Sequence, residues 1–71
     1  MDYVVIIEKA RDGSYSAYVP DLPGCVATGV TPAEVGKLIR EAIQLHLEGM
    51  AEDGLPIPEP SSRVDYVEVN A

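Results

Sequence analysis

Cys25 and His46 are the single cysteine and single histidine of the chain, and their types could form a nucleophile and its base. That chemistry also needs a third group to orient the imidazole and donors to hold an oxyanion. The residues around Cys25 and His46 offer neither, so Cys25 reads as a small buried hydrophobe and His46 as a packed or interfacial side chain. One cysteine cannot close an internal disulfide, and one Cys with one His does not make a zinc ligand set. Carboxylates are the other resource. A metal-dependent nuclease needs acidic groups converging from strands and a helix onto one or two ions. Glu34, Glu41, Glu48 and Glu52 recur instead at helical spacing on one polar side. The centre of the first apolar run, Val5-Ile6, has no carboxylate to meet them. No catalytic, cofactor-binding or metal-binding residue is therefore assigned, and the expectation is a protein that binds rather than catalyses. Gly24 and Gly29 flank a strand and do not open a helix, so they form no phosphate cradle.

The elements that would carry these residues are marked by local signals. Tyr3 to Glu8 is apolar on both alternate faces, as in a strand covered on two sides or on one side by a second subunit. Asp12-Gly13 signals a hairpin, and Ser14 to Val19 alternates as the second strand. Pro20-Asp21-Leu22-Pro23-Gly24 interrupts it, because two prolines remove ladder donors. Cys25 to Thr28 makes a short third strand. Thr31 is a helix N-cap, Pro32 suits the first helical position, and Glu34 completes a T-x-x-E capping box with Val30 and Val35 placed as a hydrophobic staple. Gly54 and Pro56 close a helix expected over Pro32 to Asp53. Val35, Leu38, Ile39, Ala42, Ile43, Leu45, Leu47, Gly49 and Met50 share a side broader than one sheet face needs. Gly36 and Gly49 each cost about 1 kcal/mol against Ala inside a helix, and Gly49 reads as a close-approach position. Leu55 to Ser62, with three prolines, is an extended connector ordered by docking. Arg63 to Asn70 alternates again and is expected to form the last strand.

Seventy-one residues make one small domain, residues 1–71, whose core rarely supplies more than about 3–5 kcal/mol. With no disulfide and no metal, self-association into a dimer or tetramer is the expected source of further stability. Twelve acidic against five basic residues give a net charge of −7. This balance disfavours direct binding to DNA, RNA or an anionic membrane and favours a basic partner. The first apolar run is too short for a signal-peptide core or a membrane span, and a cytoplasmic protein is the simplest reading. Asp12 is explained by its turn. Asp21, between two prolines, is the acidic residue most readily assigned to a contact.

Asp12-Gly13-Ser14-Tyr15, Val19-Pro20-Asp21-Leu22-Pro23-Gly24-Cys25, Thr28-Gly29-Val30-Thr31-Pro32-Ala33-Glu34, Glu41-Ala42-Ile43 and Gly54-Leu55-Pro56-Ile57-Pro58-Glu59-Pro60 occur in an order and spacing that resembles the HicB-type antitoxin domain. The likeness covers nearly the whole chain, and its elements are specific together rather than singly. It implies an α+β domain in β-β-β-α-β order, with a partial ribonuclease-H-like sheet of strand order 3-2-1-4 and the last strand parallel to the first. It implies no nuclease activity and a partner: a small basic HicA-type toxin that cuts messenger RNA and whose active surface the antitoxin covers. Glu8, Tyr18, Asp21 and Leu22 are the expected toxin contacts. Many members of the family carry an appended DNA-binding module after this domain, and none is expected within residues 1–71. The alternative is an orphan oligomeric structural or regulatory module without a toxin.

Overall fold

In the computed structural model, which describes residues 1–70, the sheet begins at a turn whose chemistry is entirely local. Strands β1 (Ile6–Lys9) and β2 (Tyr15–Tyr18) are joined through Ala10–Ser14. Gly13 adopts φ +89°, which L side chains rarely reach. The Asp12 carboxylate accepts from the Ser14 amide (2.9 Å) and hydroxyl (2.6 Å), fixing the turn. The strands pair antiparallel with Ile6 opposite Tyr18 and Lys9 opposite Tyr15. Strand β3 (Val26–Gly29) pairs antiparallel with β2, giving the order β1-β2-β3.

Between β2 and β3 the proline-rich loop folds on itself. The Leu22 amide donates to the Val19 carbonyl (3.1 Å), the Cys25 amide to Leu22 (3.0 Å) and the Val19 amide to Cys25 (3.2 Å). These bonds turn Leu22 inward, leaving it 1% exposed.

Helix α1 (Pro32–Glu52) starts where the Thr31 hydroxyl accepts from the Glu34 amide at 3.0 Å, with Pro32 in the first turn. It ends in a Schellman motif: the Leu55 amide donates to the Met50 carbonyl and that of Gly54 to Ala51, with Gly54 at φ +69°. The expected staple does not close, since Val30 stays well exposed while Val35 is fully buried. A Cβ on Gly49 would meet nothing within 4 Å, so that glycine is not a close-approach site within the chain. Gly29 is the close approach: a Cβ there would lie 3.1 Å from the Val35 backbone nitrogen.

The core is Ala17, Val19, Leu22, Cys25, Val35 and Ile39, with Tyr3, Val5, Tyr15, Ala27, Ala42, Ile43 and Leu47 packed around it. Leu38 and Leu45, the outer part of the broad apolar side, remain exposed. The helix lies mainly on β3 and β2 and scarcely on β1.

Leu55–Ser62 is ordered by docking, as its prolines suggest. The Tyr3 hydroxyl donates to the Pro58 carbonyl. Asp21 then receives four hydrogen bonds, from the amides and hydroxyls of Ser61 and Ser62, at 2.8–3.2 Å. The α+β domain stands as expected, but its last strand is corrected. Residues 63–70 form no strand within the single chain, so the sheet has three strands, β1 is an edge rather than the centre, and the order 3-2-1-4 is not completed. The clasp on Asp21 fixes the connector at Ser61 and Ser62, and beyond it the apolar side chains of residues 63–70 find no cover: Tyr66, Val67 and Val69 stay exposed.

Candidate functional site: the outer face of the sheet

Strand register sorts the sheet residues into two faces. Ile7, Ala17 and Ala27 stand side by side on the inner face, where Ala17 is buried under α1. The neighbouring positions face outward because side chains alternate along a strand. Ile6, Tyr18 and Val26 therefore form one outer row, and Glu8, Ser16 and Thr28 form the next. Tyr18 is 41% exposed and Val26 64%, with no element of the chain laid across them. The outcome is an apolar ribbon across three strands, bordered by a carboxylate and two hydroxyls. Such a face suits a protein contact: a phenol offers large apolar area with a polar tip, and the border can exchange hydrogen bonds.

Of the expected contact residues, Glu8 and Tyr18 are brought together here, on adjacent rows of the outer face. Asp21 and Leu22 are not. Leu22 is a core residue and presents nothing to a partner. Asp21 is the acceptor of the Ser61–Ser62 clasp, and those hydrogen bonds, the Ser61 hydroxyl first, hold its carboxyl below the ordinary Asp value. The structural reason that Asp21 seemed to lack is a contact forty residues away in sequence. Ile6 and Val26 are the additions. Their signal was the alternation that sets Ile6 opposite in facing to Ile7.

Neither Cys25 nor His46 lies on this face. Cys25 is buried, and burial pushes its thiol up, the reverse of thiolate activation. His46 sits half-buried on α1. Among the described residues no group of His, Cys, Asp and Glu side chains is placed to hold a metal ion, and no helix is long and apolar enough to cross a membrane.

Comparison with known proteins gives this face a context. A family model described as HicB-like antitoxin of bacterial toxin-antitoxin system matches residues 3–71. The N-terminal domain of Burkholderia pseudomallei antitoxin HicB superposes with a TM-score of 0.74 at 32% identity, over 83% of this chain and 69% of that one. A chain from the HicA3 and HicB3 toxin-antitoxin complex gives 0.70 at 34% identity, over 86% and 70%. An uncharacterised 14.9 kDa protein from the rep-hol intergenic region of Haemophilus phage HP1 is 42% identical over 94% of this chain, which spans 50% of that relative's length. A UPF0150 protein of Thermoplasma acidophilum is 40% identical, over 87% of this chain and 90% of that protein.

Proposed function

Because this chain belongs to the HicB-like antitoxin family of bacterial toxin-antitoxin systems, we propose that it neutralises a small basic HicA-type toxin by laying the outer face of its sheet over the toxin's RNA-binding and active surface. The observation that carries the reading is the outer Ile6–Tyr18–Val26 row, half-buried at Ile6 and exposed at Tyr18 and Val26, with Glu8 at its border. The apolar row supplies area that gains from leaving water. The net charge of −7 supplies attraction toward a surface built to hold phosphates, and that attraction acts chiefly on the association rate. The role is occlusion, in the cytoplasm where messenger RNA is cut, and it asks no catalysis of this chain.

The test is RNA cleavage by a purified HicA-type toxin from the same organism, titrated with the chain. Cleavage stops at stoichiometric addition. Cleavage that continues with the chain in excess overturns the proposal. Tyr18→Ala weakens the complex about thirtyfold if Tyr18 anchors the contact, since buried aromatic anchors are worth about 2 kcal/mol or more. Glu8→Lys slows association at low salt and has little effect at high salt.

A further inference from the structure

Asp21 divides its two carboxylate oxygens between two kinds of donor. Oδ1 receives the hydroxyls of Ser61 (2.8 Å) and Ser62 (3.1 Å), and Oδ2 receives their amides (3.2 and 3.1 Å). Ser62 is half-buried, but Ser61 is exposed. It follows a stretch without helix or strand that Pro56, Pro58 and Pro60 keep extended, and no residue of that stretch belongs to the buried core. The other serines and threonines of the chain are bound into regular structure. Ser14 closes the hairpin turn, Ser16 and Thr28 stand opposite each other in the sheet, and Thr31 caps α1. Phosphoryl transfer needs the acceptor hydroxyl placed in line with the phosphorus, so the residue must leave its own fold and settle in a kinase's cleft. Ser61 is the hydroxyl that can do so at small cost, since hydrogen bonds rather than core packing hold it.

We propose that Ser61 is a phosphorylation site for a serine/threonine kinase, and that its phosphate releases the connector from Asp21. Ser61 Oγ attacks the terminal phosphorus of ATP. The Oγ–P bond forms as the bond from that phosphorus to the bridging oxygen breaks, ADP leaves with the electron pair, and the hydroxyl proton passes to the kinase's base. The product has lost the proton that Asp21 Oδ1 received, and it carries between one and two negative charges where the hydroxyl stood. Asp21 is itself ionised at neutral pH, because the same serines hold its carboxyl low. Two anions at hydrogen-bond distance repel, so the clasp does not re-form around them. Arg63, two residues on, offers the phosphate a cation once the connector has come away. The Tyr3–Pro58 hydrogen bond holds the connector ahead of the clasp, so the release acts on the chain beyond Pro58. This inference is independent of the toxin reading.

The test has two arms. In the first, the protein is isolated from its native cells in growth and in starvation, and the tryptic peptide Glu41–Arg63 is sequenced by mass spectrometry. A phosphate on Ser61 is expected. Its absence under both conditions, or a phosphate on another residue alone, overturns the proposal. In the second arm phosphoserine is encoded at position 61 of the full chain, and hydrogen exchange of the Ser62 amide is followed by NMR. Loss of that amide's bond to a charged acceptor speeds its exchange about tenfold or more. The same change is made in Asp21→Asn, whose neutral side chain does not repel the phosphate, and there phosphoserine alters the exchange far less. Unchanged exchange in the wild-type background overturns the proposal, and so does an equal acceleration in both backgrounds. Ser61 is exposed and outside the core, so the modified chain keeps its fold.

Discussion

Leu22→Ala separates a core role from a contact role at the position where the loop sequence and the structure disagree. Leu22 is 1% exposed and sits among Ala17, Val19, Cys25, Val35 and Ile39. The substitution removes three carbons. At about 0.8 kcal/mol per buried CH₂ the transfer loss alone is about 2.4 kcal/mol. A residual cavity raises this toward the range seen for buried leucines, roughly 2.7–5 kcal/mol. The loop cannot easily collapse into the space, because three backbone hydrogen bonds among Val19, Leu22 and Cys25 define its shape. A loss of about 3 kcal/mol is therefore expected, against a total of about 3–5 kcal/mol for a domain of this size. In a domain of 60–100 residues each kcal/mol moves Tm by roughly 4–8 °C, so the midpoint falls by roughly 12–24 °C. Urea unfolding followed by circular dichroism, at one fixed protein concentration for wild type and variant, reads the change. An unchanged urea midpoint combined with lost toxin binding would refute the reasoning and return Leu22 to the surface.

The Asp21 clasp is pH-dependent with a definite sign. Its carboxyl is held below the ordinary Asp value by the Ser61 and Ser62 hydrogen bonds, so the clasp is fully made above that ordinary value and is released as pH falls through the lower folded value. Amide resonances of Ser61 and Ser62 follow this release, and Asp21→Asn shifts them at neutral pH without moving the unfolding midpoint of the core. Thr31→Ala removes the N-cap acceptor of α1 and costs about 1 kcal/mol in chemical denaturation, whereas Thr31→Ser restores most of it. Gly54→Ala forces an L side chain to φ +69° and costs about 1 kcal/mol by the same assay.

What the sequence made legible was local. The Asp12-Gly13 turn, the Thr31 cap, Pro32 and the Gly54 terminator each work through neighbours within a few residues, so a short window contains the whole cause. The Asp21 clasp joins positions forty residues apart and leaves no trace in either stretch alone. Leu22 was misplaced because two prolines and an aspartate around it have the composition of a surface loop. The inward turn comes from the backbone bonds of that loop, which composition does not report. For Arg63 to Asn70 the alternation pointed to a strand that the structure does not form. Alternation says that a segment can be a strand, but pairing needs an edge within reach. Of the outer face, Glu8 and Tyr18 were legible as candidates. The row they border became visible only once register aligned Ile6, Tyr18 and Val26.

The connector between α1 and Ser62 has a consequence for how the molecule comes apart. It is fastened by the Tyr3–Pro58 hydrogen bond and the four bonds to Asp21, while none of its residues belongs to the buried core. Breaking those five bonds uncovers the half-covered Leu55 and Ile57 but leaves the buried core closed, so this region opens at a fraction of the free energy that unfolds the rest. A protease therefore meets two substrates in one polypeptide: a resistant hairpin, third strand and helix, and a strap around Leu55 and Ile57 that it can cut while the remainder is still folded. A single cut there severs residues 63–70 from the sheet and helix and leaves the outer face intact.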